Sequence, residues 1–188
     1  MKRAICYLSF PDKADKYVRL TLPAVFDAAA DAQGLRVFDN WFQQNVQPRA
    51  LADALERAKQ LHDAARAGAY VEERDGAGND LPCDVVRSLA TTIRAGGDCE
   101  DWAAVLLAGL AFIGLPALLV TSGEPHDSFL HICAATWIDG RLYLLDPKGD
   151  HYGAPFNVRS ETYSVRRYWT KGVKGNAQEV HVSQELAV

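Results

Sequence analysis

The pattern of apolar positions along the chain predicts a mainly helical N-terminal part and a strand-rich second half. The clearest helix covers 48–67, where five apolar residues fall on one face: Leu51, Leu55, Ala58, Leu61 and Ala65. The other predicted elements are helices at 22–32, 84–95 and 99–113, strands at 2–10, 117–121, 130–137, 141–145, 163–169 and 179–182, and polar loops at 68–80 and 122–128. This mixture is typical of an α+β domain.

Cys99 lies where a glycine-rich loop opens into the most apolar run of the chain, which covers 103–113. Asp98 is placed as the helix N-cap and Asp101 as the acid of a capping box, so Cys99 takes the first helical position. The unpaired backbone N–H groups and the helix dipole favour a thiolate over a thiol there. Cys99 is therefore a candidate nucleophile.

The downstream segment reads as a β-hairpin that carries a base and a carboxylate. Its centre is Asp139-Gly140, a dipeptide favoured in two-residue turns. In the register that this turn sets, His131 and Asp146 are diagonal neighbours on one face, about 7–8 Å apart. That face also carries three large apolar side chains: Trp137, Leu142 and Leu144. We expect it to pack on the helix that begins at Cys99.

Four features occur in the same order as in a known superfamily. They are Gly97-Asp98-Cys99-Glu100-Asp101-Trp102-Ala103, the helix end at Gly114-Leu115-Pro116-Ala117, His131 at the start of a strand, and Asp139-Gly140-Arg141-Leu142-Tyr143-Leu144-Leu145-Asp146-Pro147. Over about residues 80–150 the chain thereby resembles the transglutaminase-like superfamily, in its microbial or phage-type form. The resemblance implies a papain-like core in which a nucleophile-bearing helix packs on an antiparallel sheet. A helical part at 1–79 and a C-terminal extension at 151–188 would flank this core.

The resemblance also implies roles for individual residues. Cys99 would be the nucleophile, His131 the general base and acid, and Asp146 the orienting carboxylate, with no cofactor. Where many members have an aromatic residue two positions after the histidine, this chain has Cys133, which bears on the shape of the substrate groove. The oxyanion donors would be the Cys99 backbone N–H and one polar or indole group. The oxyanion and cleft candidates are Trp41, Gln43, Asn79 and Trp102.

The charges around the candidate nucleophile oppose its ionisation. Asp98, Glu100 and Asp101 should raise the pKa of the Cys99 thiol by like-charge repulsion. A helix dipole contributes about 0.3–1 kcal/mol, too little to offset three carboxylates. We therefore expect the thiolate to depend mainly on an imidazolium at His131.

Composition limits the remaining functions. The 188 residues, 48% of them hydrophobic, can bury one core, which predicts a single domain over 1–188. A net charge of −4 argues against a nucleic-acid partner. No apolar run approaches the ~20 residues of a membrane-spanning helix, and the first residues lack the apolar stretch of a signal peptide. We expect four free thiols, no membrane partner, and a cytoplasmic location, or a virion-associated one if the protein is phage-encoded.

Two alternatives to a thiol enzyme stay open. The residue types of His126, His131, Cys133 and Asp146 suit a metal ion, but none of their spacings matches a known metal motif, so no metal is expected. The second alternative is a non-catalytic structural or binding module, for instance in a phage particle with assembly partners. The complete set of three catalytic residue types favours an enzyme that acts on peptide or side-chain amides of a peptide or protein substrate, by hydrolysis or acyl transfer.

Overall fold

The fold is described from a computed structural model, which covers residues 3–6, 17–32, 35–48, 52–72, 83–124, 127–147, 165–172 and 176–182. The helices are α1 (Leu22–Ala30, preceded by a π-helical turn at Tyr17–Thr21), α2 (Arg36–Asn45), α3 (Ala54–Arg66), α4 (Leu89–Ala95) and α5 (Cys99–Phe112). The strands are β1 (Arg3–Cys6), β2 (Cys83–Val86), β3 (Leu118–Glu124), β4 (Asp127–Ile138), β5 (Arg141–Leu145), β6 (Val165–Lys171) and β7 (Ala177–Val180).

Five of these strands form one antiparallel sheet in the order β5-β4-β3-β6-β7, and β1 pairs with β2 in a separate ribbon. The predicted hairpin is confirmed, with Ile138 opposite Arg141 and Ala134 opposite Leu145. Asp139 and Gly140 both have positive φ angles, 51° and 76°, as a two-residue turn of this type requires. The register from which the His131–Asp146 contact was predicted is therefore correct.

Helix α5 packs on one face of this sheet and forms the main core with it. Ile132, Ala134 and Leu145 belong to this core, together with nearly every side chain of α5 from Trp102 to Leu110. The opposite face forms a second apolar cluster around four buried residues: Val120, Cys133, Ala135 and Leu142. Our prediction that the face of Trp137, Leu142 and Leu144 packs on α5 is therefore wrong. Both faces of the hairpin are apolar, so the pattern could not tell which one meets the helix.

Several other element boundaries differ from the predictions. The segment predicted as one helix at 84–95 is the strand β2 followed by the short helix α4, which Ser88 caps by accepting from the Thr91 N–H. The clearest predicted helix begins only at Ala54, because Asp53 accepts a hydrogen bond from the Glu56 N–H and caps it there. Helix α2 was not predicted. The expected loop at 122–128 is largely strand, with residues 125–126 outside the described part.

The C-terminal strands β6 and β7 lie close to the positions predicted for them. Most of the predicted extension before β6, residues 151–164, lies outside the described residues. Within the described part of the chain, no helix combines the length and the apolar character that crossing a membrane would require.

Candidate active site

The start of α5 is held in one geometry by Asp101. Its Oδ2 accepts a hydrogen bond from the Asp98 N–H at 3.3 Å, as the capping box predicts. Oδ1 accepts from the Arg87 N–H at 2.6 Å, and the Arg87 guanidinium pairs with Oδ2. A Cβ on Gly97 would lie 2.6 Å from this carboxylate, which explains the glycine at that position. Cys99 is thus presented at a fixed, half-buried helix start.

His131 and Asp146 form a buried pair where strands β4 and β5 end their pairing. Nε2 of His131 lies 2.9 Å from Oδ2 of Asp146, and the two residues are only 3% and 5% exposed. The predicted contact between this imidazole and this carboxylate is therefore present. Because a carboxylate oxygen can only accept, Nε2 carries the hydrogen in this pair.

The thiol of Cys99 lies against the same strand. The Ile132 backbone N–H donates to the sulfur, and this contact lowers the pKa of Cys99. Ile132 directly follows His131 in β4. Cys99 thus contacts β4 one residue beyond His131, while the described contacts of the His131 ring are to Asp146.

Other contacts at Cys99 favour the neutral thiol more strongly. Burial, followed by the negative charges of Glu100 and Asp98, raises the pKa of Cys99 well above its ordinary value. The thiol itself donates to Glu100 Oε2 at 2.9 Å. Asp101 was also expected to act on the thiol, but its carboxylate is used by Arg87 and by the Asp98 N–H. In the resting protein, Glu100 therefore opposes the ionisation that a nucleophile needs.

Replacing Glu100 with glutamine should make Cys99 more reactive at neutral pH. The amide has no charge, so the pKa of Cys99 should fall and the pH–rate curve of alkylation should move to lower pH. We expect the iodoacetamide rate at pH 7 to rise about three- to tenfold. The control is Glu179→Gln on β7, which should leave the rate at Cys99 unchanged. A slower or unaltered rate in Glu100→Gln would contradict this electrostatic account.

Cys133 lies beside the same imidazole and carboxylate. One ligand atom each from His131, Cys133 and Asp146 lies within 4.8 Å of the other two. Two ligands of one tetrahedral zinc ion would be about 3.3 Å apart or more, given Zn–N and Zn–O bonds of about 2.0–2.2 Å. The 2.9 Å between Nε2 and Oδ2 is instead a hydrogen-bond distance. Burial and the Asp146 charge raise the pKa of Cys133, which favours a neutral thiol there.

Tyr70 is a site residue that the sequence did not indicate. It forms a parallel bridge with Gly97, supported by a hydrogen bond from Val71 N to Gly97 O at 2.9 Å. Its hydroxyl hydrogen-bonds with Cys99. Its pKa is raised first by burial, then by the charge that Cys99 carries once it is ionised, and by the negative charges of Asp98 and Glu100. Tyr70 therefore holds its proton beside the sulfur. It lies in the segment predicted only as a polar loop, and no motif around it gives a signal.

The other oxyanion and cleft candidates lie in different places. Trp102 Nε1 donates to the Ala69 carbonyl oxygen at 3.1 Å, so its indole N–H already has an acceptor. The ring centroids of Trp41 and Phe38 are 6.1 Å apart. The Phe38 ring contacts Phe112, which lies at the opposite end of α5 from Cys99. Gln43 is exposed on α2, and Asn79 and the metal candidate His126 lie outside the described residues. The structure does not bring Trp41 to Cys99.

Comparison with solved structures places this architecture among known folds. A candidate protease from Parabacteroides distasonis matches with a TM-score of 0.53 and 13% identity over 85% of this chain and 30% of that one. This chain thus spans less than a third of that protein. A candidate cysteine protease from Cytophaga hutchinsonii matches with a TM-score of 0.47 and 14% identity, over 86% of this chain and 53% of that one. LapG of Legionella pneumophila matches with a TM-score of 0.42 and 18% identity, over 66% of this chain and 72% of that one.

The fold is papain/transglutaminase-like. Its α+β class, with the helix that begins at Cys99 packed on an antiparallel sheet, is as predicted. No protein-family model matches the sequence, and no curated protein matches it.

Proposed function

We propose that the chain is a protease-like thiol enzyme that acts on peptide or side-chain amides through an acyl-enzyme at Cys99. His131 is the general base and acid, and Asp146 orients it. The observations that carry this proposal are the buried 2.9 Å pair of His131 and Asp146 and a helix-start cysteine that accepts from the N–H of the residue after His131. A peptide or protein chain is the proposed substrate.

Because Nε2 of His131 holds a hydrogen for Asp146, we assign the proton transfer to the other ring nitrogen, Nδ1. With Nε2–H held by Asp146, the lone pair of a neutral His131 ring is on Nδ1. Nδ1 is the ring nitrogen nearer the backbone, and Cys99 meets the backbone at the next residue, Ile132. We assign Nδ1 as the acceptor of the Cys99 proton, and Asp146 then stabilises the resulting imidazolium.

The reaction follows in two stages. After Nδ1 takes the thiol proton, the Cys99 sulfur forms a bond to the amide carbonyl carbon, and the carbonyl π pair moves onto oxygen. The tetrahedral oxyanion then collapses, the C–N bond breaks, and Nδ1 protonates the leaving amine. In the second stage Nδ1 removes a proton from water, the water oxygen attacks the thioester, and the thiolate leaves. An amine in place of water would give acyl transfer by the same steps.

Two donors are proposed for the oxyanion. The Cys99 backbone N–H lies at the start of α5, where helix N–H groups have no intrahelical acceptor. The Tyr70 hydroxyl hydrogen-bonds with Cys99, and its raised pKa keeps it protonated, so it could donate as charge develops. Removal of one such donor typically lowers kcat by about 10²–10³-fold.

One observation favours the alternative, a non-catalytic binding module such as a component of a phage particle. The thiol of Cys99 donates to Glu100 and has a raised pKa, so the resting protein holds a neutral sulfur. An enzyme must transfer the thiol proton of Cys99 to His131, and so break its hydrogen bond to Glu100, before the sulfur can react, whereas a binding module need not. The buried His131–Asp146 pair has no purpose in such a module, which is why we favour the enzyme.

The proposal predicts which cysteine reacts. In the native protein at pH 7.5, iodoacetamide should modify Cys99 before Cys133, because Cys99 is half-buried and Cys133 is fully buried, and because the proposal gives Cys99 a base at His131. His131→Ala should slow Cys99 by about tenfold or more. Peptide mapping by mass spectrometry measures both rates. Equal labelling of Cys99 and Cys133 would contradict the assignment of Cys99 as nucleophile.

A further inference from the structure

His62 is a buried imidazole that the proposed mechanism does not use. It lies on α3, is 1% exposed, and is placed on the same buried face as three apolar neighbours: Ala58, Leu61 and Ala65. A polar ring in such a core is costly unless it is hydrogen-bonded. The hydrogen-bond partners of the His62 ring therefore indicate its role.

Nε2 of His62 lies 3.0 Å from the backbone oxygen of Asp146. A carbonyl oxygen only accepts, so Nε2 of His62 carries a hydrogen and donates it. On the other side of the ring, Nδ1 lies 3.3 Å from Oδ1 of Asp63, whose side chain is 58% exposed. The ring is thus fixed with its Nε2–H directed at the chain segment that carries the carboxylate.

Asp146 lies just past the end of the ladder between β4 and β5. The ladder between β4 and β5 runs from Ile138↔Arg141 to Ala134↔Leu145, and Asp146 is one residue beyond it. Pro147 follows, which has no backbone N–H and so removes one donor that could fix the chain. The His62 hydrogen bond anchors the Asp146 peptide at this position.

We propose that His62 is a positioning residue, which holds the Asp146 backbone so that its carboxylate stays on His131 Nε2. The two contacts, at 3.0 Å and 2.9 Å, link α3 to the general base through one residue. This inference rests on the proposed function. A misplaced carboxylate would leave His131 free to turn, and small misplacements of catalytic groups reduce rates by up to about 10²-fold.

The test measures the alkylation rate of Cys99 by iodoacetamide, which needs no substrate. His62→Leu fills the space without a donor, and Cys99 should react at least about fivefold more slowly. His62→Gln can place an amide N–H near the position of Nε2. The Cys99 alkylation rate of this variant should be within about twofold of the wild-type rate. The shorter amide of His62→Asn cannot reach Asp146 and should be slow, like His62→Leu.

Two controls separate positioning from packing. Leu61→Val, on the same buried face of α3, should lower Tm by a few degrees without slowing Cys99. In an Asp146→Ala background, His62→Leu should slow Cys99 by less than about twofold, because the two residues act in series. Circular dichroism of each variant reports any that unfolds.

The outcomes distinguish this inference from the proposed function. If wild-type Cys99 reacts no faster than Cys133, the proposed function fails and His62 has no base to position. If Cys99 is preferred but His62→Leu leaves its rate unchanged, or His62→Gln is as slow as His62→Leu, only the positioning role is overturned. The positioning role is also overturned if His62→Leu slows the alkylation of Cys99 as much in the Asp146→Ala background as in the wild-type protein.

Discussion

A Cys99→Ser variant is expected to lose at least about 10³-fold in kcat/KM on any amide that the wild-type protein turns over. The serine hydroxyl is almost un-ionised at neutral pH, and the negative charges of Glu100 and Asp98 would oppose its ionisation further. The substituted oxygen is close in size to sulfur, so the fold and substrate binding should persist. Product formation against time, compared at equal protein concentration, measures the loss.

The matched control for this loss is Cys133→Ala. Cys133 is also a cysteine of the site region, but it is buried, and burial raises its pKa. Its variant should retain turnover within about tenfold of wild type, because it removes only packing volume. If Cys99→Ser kept the wild-type rate while Cys133→Ala lost it, the nucleophile would be Cys133 and the proposed mechanism would be wrong.

Replacing Asp101 with alanine is expected to reduce the free energy of unfolding by about 3–5 kcal/mol. Asp101 is fully buried, and its loss would leave the mostly buried Arg87 guanidinium and the N–H groups of Arg87 and Asp98 without their acceptor. A loss of this size is a large part of the stability of an ordinary domain, about 5–15 kcal/mol. Urea unfolding, followed by circular dichroism, measures the change.

The comparison for Asp101 is an ion pair at the surface. Arg167 and Glu179 join β6 and β7 with both side chains about one-third exposed, so Glu179→Ala should cost no more than about 1 kcal/mol. Equal losses in Asp101→Ala and Glu179→Ala would contradict the claim that Asp101 fixes the start of α5.

Local signals in the sequence predicted much of the site. Asp98 and Asp101 place the start of α5 correctly, because capping depends on residues within one helical turn. Asp139-Gly140 fixed the hairpin register, since positive φ angles are required at both turn positions. That register was enough to predict the contact of His131 with Asp146, 15 residues apart in the chain.

Contacts between distant segments could not be predicted in this way. The sheet face that meets α5 was predicted wrongly, because Ile132 and Cys133 are both apolar and point to opposite sides. Tyr70 reaches Cys99 through a bridge to Gly97, and His62 reaches Asp146 across 84 positions. Such contacts depend on how the helices pack on the sheet, and a single sequence carries no periodic signal for them.

The most direct test of the central claim is a product assay by mass spectrometry. Wild type and Cys99→Ser are incubated separately with peptides and glutamine-containing substrates in the presence of a primary amine. We predict cleavage, deamidation or amine incorporation by wild type alone, together with a thioester adduct on Cys99. The account would be contradicted if both proteins were equally inert and the wild type were found in a stable complex with a partner, since the fold would then serve binding.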